Sequence, residues 1–346
     1  FIQNAPDAYF APTLQLDTRS WYLKERPGIP NSFTNLSQIA CDEVWKKAAL
    51  DYMKAAIRHI EEKYSDKVYG YFLLCGTTTE WFSDHDFEVP NEIKNNGYKI
   101  WPMVSNGVAA NKSLNITSNI MNDYEKRKKL IESIVNKCVE YELDGINIDF
   151  ENMKSEDKDM YSRFIIELEP RLKEIGMVLS VDGGDTWSMC FDRHVIGNVA
   201  DYTIFMAYDQ NGSSSTKPGT TAGYNWVKLN LVKFLQTEEI NPNKLILAVP
   251  LYTRIWTTNS DGKVISNNSL SIKNTEAEIP DGITKQWNDE LKQNYVTFSS
   301  GNNTKQIWIE DIDSLKAKIS LMKENNLAGI ASWEANMAYD DIWTMF

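Results

Sequence analysis

The chain has 346 residues, of which 42% are hydrophobic, and carries a formal net charge of −12 at pH 7. This length allows a large core, and an α/β barrel of this size can form one domain. The acidic balance argues against nucleic acid and anionic membrane surfaces as partners. No apolar run approaches the roughly 20 residues that a membrane-spanning helix needs.

The first third of the chain predicts a strand, a long helix and a second strand. The strands are expected over residues 8–17 and 67–76, and the helix over residues 41–64. Apolar side chains recur in this helix at the spacing of one helical face. The side chains expected to face inward are Val44, Ala48, Met53, Ile57 and Ile60.

From about residue 97 onward, strand and helix patterns alternate. The strands are predicted over residues 98–106, 144–151, 177–182, 201–209, 244–252 and 328–335. The helices are predicted over residues 122–143, 155–176, 222–238 and 311–326. Strands that are separated mostly by helices indicate parallel βα units.

With the two strands of the first third, this pattern gives eight strands and predicts an α/β fold, a (β/α)8 or TIM barrel. Residues 253–310 are predicted to form a strand-rich insertion after the seventh strand. Because no repeat or linker interrupts the chain, residues 1–346 are expected to form a single barrel domain.

The cysteines and the first residues carry two further expectations. Cys41, Cys75, Cys138 and Cys190 are widely spaced and form no C-x-x-C pair, so they are expected to be free, buried thiols rather than a disulfide frame. The opening stretch FIQNAPDAYF has no signal-peptide pattern, which agrees either with a leader that has been removed or with a chain that has been trimmed.

The stretch DGINIDFE, residues 144–151, alternates polar and apolar side chains. Asn147, Asp149 and Glu151 are two residues apart and therefore share one face of a strand. In a barrel of parallel strands, catalytic groups lie at the carboxyl ends of the strands. Two carboxyl groups this close raise the pKa of at least one of them. An acid that stays protonated near neutral pH suits general acid catalysis of glycoside cleavage.

DGINIDFE resembles the D-x-x-D-x-D-x-E signature of glycoside hydrolase family 18, which contains chitinases and N-acetylglucosaminidases. FMAYD (205–209) is similar to the M-x-Y-D of that family, and VPLY (249–252) and GIASWEA (329–335) follow in the family's order. The resemblance covers roughly residues 86–346. WPMVSNG and WSMCFDR look most like the bacterial branch with spore-cortex and cell-wall glycosidases.

The resemblance implies a substrate-assisted retaining mechanism that cleaves β-1,4 bonds after N-acetylated sugars, in peptidoglycan or chitin. Glu151 would protonate the glycosidic oxygen, and the substrate's own acetamido oxygen would attack the anomeric carbon. Asp149 would orient the acetamido group and stabilise the positive charge on its nitrogen. Tyr208 would hydrogen-bond the acetamido oxygen. The mechanism needs no cofactor and no metal.

The resemblance also assigns residues around the catalytic three. The supporting residues would be Asp144, Asn147, Asp209 and Met206. The residues predicted to bind substrate are Trp333, Tyr252, Arg254, Trp187 and Asn106, together with Glu80, which lies before this resemblance begins and would line the cleft. Asn147 departs from the signature, which has Asp at its position. An amide can keep a hydrogen bond to Asp149 but cannot share a proton with it.

Residues 1–85 have a distinct character. WYLKERPGIPNSF, AALDYMKAAIRHIEEKY and YGYFLLCGTTTEWFS resemble a stretch of other retaining barrel glycosidases, in which Glu80 would be the acid/base. This resemblance predicts a chimeric barrel, in which a strand-helix-strand piece fills the first two positions. The alternative is an ordinary divergent start of a family 18 chain.

Two other functions stay open from the sequence. One is a carbohydrate-binding, lectin-like barrel without turnover. The other is a two-carboxylate retaining glycosidase that uses Glu80, which would need a nucleophilic Glu at the end of the seventh strand, where VPLYTR has none. The expected partner is an N-acetylated oligo- or polysaccharide, and the expected protein is a monomer that is secreted or associated with the cell wall or spore of a bacterium.

Overall fold

The computed structural model describes residues 13–15, 20–29, 43–64, 72–74, 97–106, 110–151, 153–184, 186, 188–339 and 342. The chain divides into two compact units, residues 1–89 and residues 90–346. Among the helices that are described, none has the length and apolar composition of a membrane span.

The first unit contains a parallel strand pair. Strand β1 (Thr13–Gln15) pairs with strand β2 (Phe72–Leu74), with Leu14 opposite Leu73. Helices α1 (Ser20–Glu25) and α2 (Glu43–Tyr64) lie between them along the chain. The predicted order of strand, long helix and strand is therefore observed, although both strands are shorter than expected.

The inward face of α2 differs from the expected one. Trp45 and Ala49 are the buried residues, and they pack with Met53, Tyr22 and Ile29. Val44, which was expected to face inward, is 58% exposed. Positions 45, 49 and 53 are four apart and share one side of a helix. The large indole of Trp45 buries more apolar surface than the side chain of Val44, so it takes the interior.

The second unit is built on a parallel sheet of six strands, in the order β13-β7-β6-β5-β4-β3. These strands are β3 (Met103–Ser105), β4 (Gly145–Asp149), β5 (Val178–Asp182), β6 (Tyr202–Met206), β7 (Leu245–Pro250) and β13 (Gly329–Trp333). All six predicted strands are present. Because every neighbouring pair in this sheet is parallel, the carboxyl ends of the strands lie along one edge.

Helices connect the strands of this sheet. They are α3 (Ala110–Met121), α4 (Tyr124–Glu140), α5 (Lys158–Glu174), α6 (Arg193–Val199), α7 (Tyr224–Val232) and α9 (Ile312–Glu324). The short helix α8 (Ile272–Thr275) lies within the antiparallel sheet's segment of the chain. The α3 and α6 helices were not predicted. The first is rich in Asn, Ser and Thr, which have weak helix propensity, and the second has only seven residues. Asp192 caps α6 by accepting from the Val195 amide.

Shorter turns complete the connections. A short π-helix, Lys233–Thr237, follows directly after α7. One-turn 3-10 helices occur at Ser155–Asp157, Pro242–Lys244, Glu276–Glu278 and Ala335–Met337. Cys138 and Cys190 are buried free thiols, as predicted, whereas Cys41 and Cys75 lie outside the described residues.

Helix α5 packs against the end of strand β4 through aromatic rings. The ring of Phe150 stacks on Tyr161 and Phe164 of α5, with ring centroids 5.9 and 5.8 Å apart. All three rings are buried, as are Ile146 and Ile148 of the strand. Burial of this apolar surface contributes most of the favourable free energy of folding here. The same packing holds the last residues of the strand in position.

The predicted insertion is an antiparallel sheet of five strands in the order β10-β11-β12-β8-β9. They are β8 (Tyr252–Thr258), β9 (Val264–Ser271), β10 (Gln286–Asn288), β11 (Gln293–Ser300) and β12 (Asn303–Ile309). Only Leu251 separates β8 from the end of β7, so the insertion begins where the seventh barrel strand ends. The expected strand-rich insertion is confirmed.

A buried ion pair joins the end of the insertion to α9. Lys318 Nζ donates to Glu310 Oε2 at 2.8 Å, and Ser314 Oγ donates to the same oxygen at 2.7 Å. Both charged side chains are fully buried. Burial raises the pKa of Glu310, and Lys318 acts against this shift. A buried charge that loses its partner destabilises the folded state strongly.

We therefore expect Lys318→Met to lower the free energy of unfolding by about 3 to 5 kcal/mol, since it leaves Glu310 buried without its cation. The control is Lys316→Met on the same helix, because Lys316 is exposed. This change is expected to stay within about 0.5 kcal/mol of wild type. Urea unfolding of both variants gives the comparison, and equal losses would contradict the role of the pair.

Candidate active site

The carboxyl ends of the parallel strands enclose a cleft of about 390 Å³. The residues that line it are Met103, Asn147, Asp149, Glu151, Asp182, Ile204, Met206, Tyr208, Asp209, Ala248, Tyr252, Ala331, Ser332 and Trp333. The three residues expected to be catalytic, Glu151, Asp149 and Tyr208, therefore share one cleft.

Strand β4 places its polar residues in the cleft by simple alternation. Asn147 and Asp149 line the cleft, and Glu151 follows at its mouth. Asp149 is only 8% exposed, whereas Glu151 is exposed. Ile148 and Phe150 point the other way into the core. The sequence pattern of this strand is thus sufficient to explain which side chains meet the cleft.

Asp182, at the end of β5, lines the cleft but was not among the site residues predicted from the sequence. Strand pairing puts Ile148 opposite Val181, so Asp149 and Asp182 are the next residues on adjacent strands. Asp182 is 7% exposed. The signal was present in the sequence, because the strand MVLSVD ends on an acidic residue. Its significance depends on the register between the two strands.

Asn147 has a different partner from the one expected. The amide was expected to hydrogen-bond Asp149, but Asn147 Nδ2 donates to Asp182 Oδ2 at 3.0 Å. Its Oδ1 accepts from Ser180 Oγ at 2.7 Å. Ser180 and Asp182 belong to β5, and they hold the amide between them. The amide turns toward β5 instead of Asp149, because β5 offers it both an acceptor, Asp182, and a donor, Ser180.

Crowded carboxyl groups raise one another's pKa in this cleft. Loss of hydration raises the pKa of Asp149 to about 7, with a further contribution from the negative charge of Asp182. The pKa of Asp182 rises to about 6, mainly by burial, although the hydrogen bond from Asn147 lowers it. Both groups titrate far above ordinary aspartates, so the pair holds a proton near neutral pH.

Glu151 is affected in the same way. Although part of its side chain meets solvent, the walls of the cleft remove enough hydration to raise its pKa to about 7. The charges of Asp149 and then Asp209 add to the shift. Near neutral pH, a large fraction of Glu151 is therefore protonated, which is the state that can donate a proton.

The end of β6 supplies a tyrosine and an aspartate. Burial and the surrounding carboxylates raise the pKa of Tyr208 well above its usual range, so its hydroxyl stays a hydrogen-bond donor. Asp209, in the left-handed region with φ of 52°, accepts from Tyr252 OH at 2.7 Å and from Arg254 Nη2 at 3.2 Å. Arg254 is buried and reaches Asn267 with its other terminal nitrogen.

Trp333 ends β13 and forms part of the cleft wall. Its indole is 38% exposed, and its carbonyl oxygen accepts from the Leu251 amide at 2.7 Å. A large, half-exposed aromatic surface beside carboxyl groups suits an apolar sugar face. Met206 and Tyr252 also line the cleft, as expected.

Four other predicted site residues lie elsewhere or outside the described part. Asp144 lies at the start of β4, where it accepts from the Ile100 amide at 3.0 Å and from Lys99 Nζ at 2.7 Å. Asn106 follows β3 and donates to Thr117 Oγ1 at 3.1 Å, and it is not among the lining residues given above. Glu80 and Trp187 lie outside the described residues.

A metal site is not found in the described part of the chain. Within those ranges, no group of three or more His, Cys, Asp or Glu side chains is arranged to hold a metal ion. The side chains that line the cleft include its carboxyl groups, the phenol of Tyr208 and the indole of Trp333.

Comparison with known sequences gives a family match over most of the chain. The model of glycosyl hydrolases family 18 matches residues 44–338. The quoted motifs placed the start of the resemblance near residue 86, whereas the match begins within α2. The uncharacterized glycosylase YvbX of Bacillus subtilis is 28% identical over 261 residues, which cover 71% of this chain and 73% of that protein.

A second relative is a cortical fragment-lytic enzyme of Bacillus subtilis, 22% identical over 240 residues. The match covers 65% of this chain and 54% of that enzyme. The chain therefore spans little more than half the length of this relative.

Two solved structures show the same fold. The putative sporulation-specific glycosylase ydhD of Bacillus subtilis has a TM-score of 0.65 at 23% identity, with 72% of this chain and 85% of that chain covered. A family 18 chitinase from Cycas revoluta, in complex with (GlcNAc)3, has a TM-score of 0.62 at 19% identity, with 73% and 81% covered. The fold is the (β/α)8 barrel that the sequence predicts. From the family match over residues 44–338, the chain belongs to the glycosyl hydrolases of family 18 and is a glycoside hydrolase.

Proposed function

We propose that this chain hydrolyses β-1,4 bonds that follow N-acetylated sugars, by a substrate-assisted retaining mechanism. The observation that carries the proposal is the arrangement at the end of β4. There, Glu151 at the mouth of the cleft and Asp149 deeper inside both have a pKa raised to about 7. This chemistry needs one acid that donates a proton and a second that stabilises positive charge on the substrate, and these two acids can take those roles.

Glu151 is proposed to be the general acid. It lies at the mouth, where the oxygen that links two sugars would be, and it keeps its proton near neutral pH. It would give this proton to the leaving oxygen as the glycosidic bond breaks. It would then take a proton from the water that attacks in the second step, which restores its starting state.

The nucleophile is proposed to be the acetamido oxygen of the substrate. It would bond to the anomeric carbon while the leaving group departs, giving a cyclic oxazolinium ion that water reopens. Asp149, buried beside this position, would accept a hydrogen bond from the acetamido N–H and stabilise the positive charge there. The hydroxyl of Tyr208 would donate to the acetamido oxygen and hold it in line.

The shape of the cleft supports a small number of bound sugar units. Its volume of about 390 Å³ falls in the range of roughly 300 to 1,000 Å³ that is typical of small-ligand sites. Trp333 would stack on the apolar face of the sugar next to the scissile bond. Tyr252 and Arg254 fix Asp209, whose carboxylate would accept hydrogen bonds from sugar hydroxyls.

The polymer is proposed to be peptidoglycan, with chitin as the second candidate. The support for peptidoglycan is the similarity to a cortical fragment-lytic enzyme and to a sporulation-specific glycosylase. The support for chitin is the likeness to a chitinase that binds (GlcNAc)3. A protein with either substrate would work outside the cytoplasm, and we propose the cell wall or spore of a bacterium as its place.

Glu151→Gln tests the general acid. The amide cannot donate a proton at the same cost, so hydrolysis of a chromogenic N-acetylglucosamine oligomer should fall by about 10² to 10⁴. Glu156→Gln, an exposed position shortly after the same strand, is the matched control and should keep full activity. Oligomer binding to Glu151→Gln should persist. Wild-type turnover in Glu151→Gln would refute the assignment.

The alkaline side of the pH profile of kcat/KM follows from the raised pKa of Glu151. Glu151 must be protonated to act, so activity should fall as the pH rises through about 7. Asp209→Asn removes a neighbouring negative charge, which should lower the pKa of Glu151 and move this decline to lower pH. A decline that begins only above pH 9, or one that Asp209→Asn leaves in place, would contradict this origin.

The requirement for the acetamido group is tested on the substrate. An oligomer in which each acetamido group is replaced by hydroxyl lacks the internal nucleophile, so turnover should be lost. The wild-type protein is assayed with matched chromogenic oligomers of N-acetylglucosamine and of glucose. Comparable rates on both would favour a two-carboxylate mechanism over the substrate-assisted one.

A further inference from the structure

The cleft contains one more buried acid than the proposed mechanism uses. Asp182 lies on β5, next to Asp149 on β4, and the two are 7% and 8% exposed. Within the described residues, neither forms an ion pair. One oxygen of Asp149, Oδ1, is buried and has no hydrogen-bond donor among those residues. Two such carboxyl groups side by side cannot both be ionised cheaply.

The position of Asp182 is fixed by side chains that are not titratable. Ser180 Oγ donates to Asn147 Oδ1, and Asn147 Nδ2 in turn donates to Asp182 Oδ2. The hydroxyl and the amide thus form a short chain that ends on one oxygen of Asp182. The carboxyl of Asp149 also lies within hydrogen-bonding reach of Asp182. Asn147 therefore holds a carboxyl group rather than supplying one.

The groups that face Asp182 are almost all acidic or neutral. From β4 they are Asp149 and Glu151, from α5 the phenol of Tyr161, and from the end of β6 the phenol of Tyr208. Both phenols have a pKa raised above the usual range, partly through the charge of Asp182. They stay neutral and do not compensate that charge.

Two buried arginines, Arg193 and Arg254, have partners other than Asp149 and Asp182 among the described residues. Arg193 donates through Nε to the Gly183 carbonyl at 2.9 Å and lies 3.9 Å from Glu238. Arg254 pairs with Asp209. The charge that Asp149 and Asp182 carry is therefore moderated by a proton and not by an arginine.

We propose that Asp182 is the proton-sharing partner of Asp149, so that the acid pair of this site spans two strands and Asp182 acts as a positioning residue. This inference rests on the function proposed above. In the resting cleft the pair holds one proton on Asp149 and one negative charge on Asp182. When positive charge grows on the acetamido nitrogen, the proton moves from Asp149 to Asp182.

The step changes only which oxygen holds the proton. One O–H bond breaks on Asp149 and one forms on Asp182, while the pair keeps a charge of −1. Asp149 thereby becomes a full carboxylate beside the oxazolinium ion only when that ion exists. Stabilisation that appears only in the transition state raises kcat, whereas a permanent charge would also bind the ground state. Collapse of the intermediate returns the proton.

The first test is the activity of Asp182→Asn across pH. Without the neighbouring charge, the pKa of Asp149 falls, so Asp149 loses near neutral pH the proton that the resting pair would hold. In the wild type the acidic decline of kcat/KM follows the second protonation of the pair, whereas in the variant it follows Asp149 alone, so its position should move by about one pH unit or more. Because Asp149 is then ionised before the substrate reacts, kcat should fall about tenfold while KM changes less than about threefold. An unchanged pH profile with wild-type kcat would overturn the inference.

Asp201→Asn is the matched control. Asp201 precedes β6 and accepts from the Leu179 amide at 2.9 Å, at the opposite end of the strands from the cleft. The same change of carboxylate to amide there should leave the pH profile in place. If Asp201→Asn shifts the profile as much as Asp182→Asn does, the effect is a general one and the proposal fails.

An exchange of the two side chains gives the second test. In Asn147→Asp with Asp182→Asn, the carboxylate moves to β4 and can accept from both Ser180 Oγ and the new amide. This double variant should recover kcat to within about threefold of wild type, because a proton partner for Asp149 is present again. A folded double variant no better than Asp182→Asn alone would count against the proposal.

Thermal stability separates this inference from the proposed function, since it needs no substrate. Ionisation of Asp182, whose folded pKa is raised, costs stability above the pKa of the unfolded chain. Asp182→Asn should therefore raise Tm relative to wild type at pH 8, and the gain should shrink toward pH 4. A gain that does not depend on pH refutes the pair, whereas wild-type inactivity on every N-acetylated oligomer refutes only the function.

Discussion

The alternation of β4 is the constraint on which the site depends. Successive side chains of a strand point to opposite faces. The same alternation therefore places Asn147, Asp149 and Glu151 together in the cleft and Ile148 and Phe150 in the core. The stacking of Phe150 on two rings of α5 offsets the repulsion among the acids. Hydrophobic packing on one face thus holds an unfavourable arrangement of charge on the other.

The same burial sets the chemistry of the cleft. Enclosure raises the pKa of Asp149 and Glu151 to about 7, and it leaves Tyr208 a neutral donor. Ordinary exposed carboxyl groups would be fully ionised at neutral pH and could not donate a proton. Charge compensation is concentrated at Asp209, which Arg254 and Tyr252 hold. The acids at the end of β4 and β5 form no ion pair with an arginine or lysine among the described residues.

Much of the second unit and of its site could be predicted from the sequence, because local rules decide it. The six parallel strands, the insertion after the seventh barrel strand and the cleft-facing residues of β4 all follow from periodicity. Asp182 and the partner of Asn147 could not be predicted, since both depend on the register between β4 and β5. The buried face of α2 was wrong for a related reason. A helix with apolar residues on several sides turns the face with the largest ring, Trp45, toward its neighbours.

The first third of the chain resembles a different class of glycosidase from the rest, and the residues of the cleft bear on whether it could contribute that class's mechanism. The family match begins at residue 44, although the quoted motifs resemble another class of barrel glycosidase as far as residue 85. A mechanism inherited from that class would pair Glu80 with a carboxylate nucleophile at the end of β7. That position holds Pro250, Leu251 and Tyr252, none of which can serve as one. Whatever the ancestry of the first 85 residues, the acids of the described cleft come from β4, β5 and the turn after β6. This arrangement agrees with the proposed mechanism, in which the substrate supplies the nucleophile.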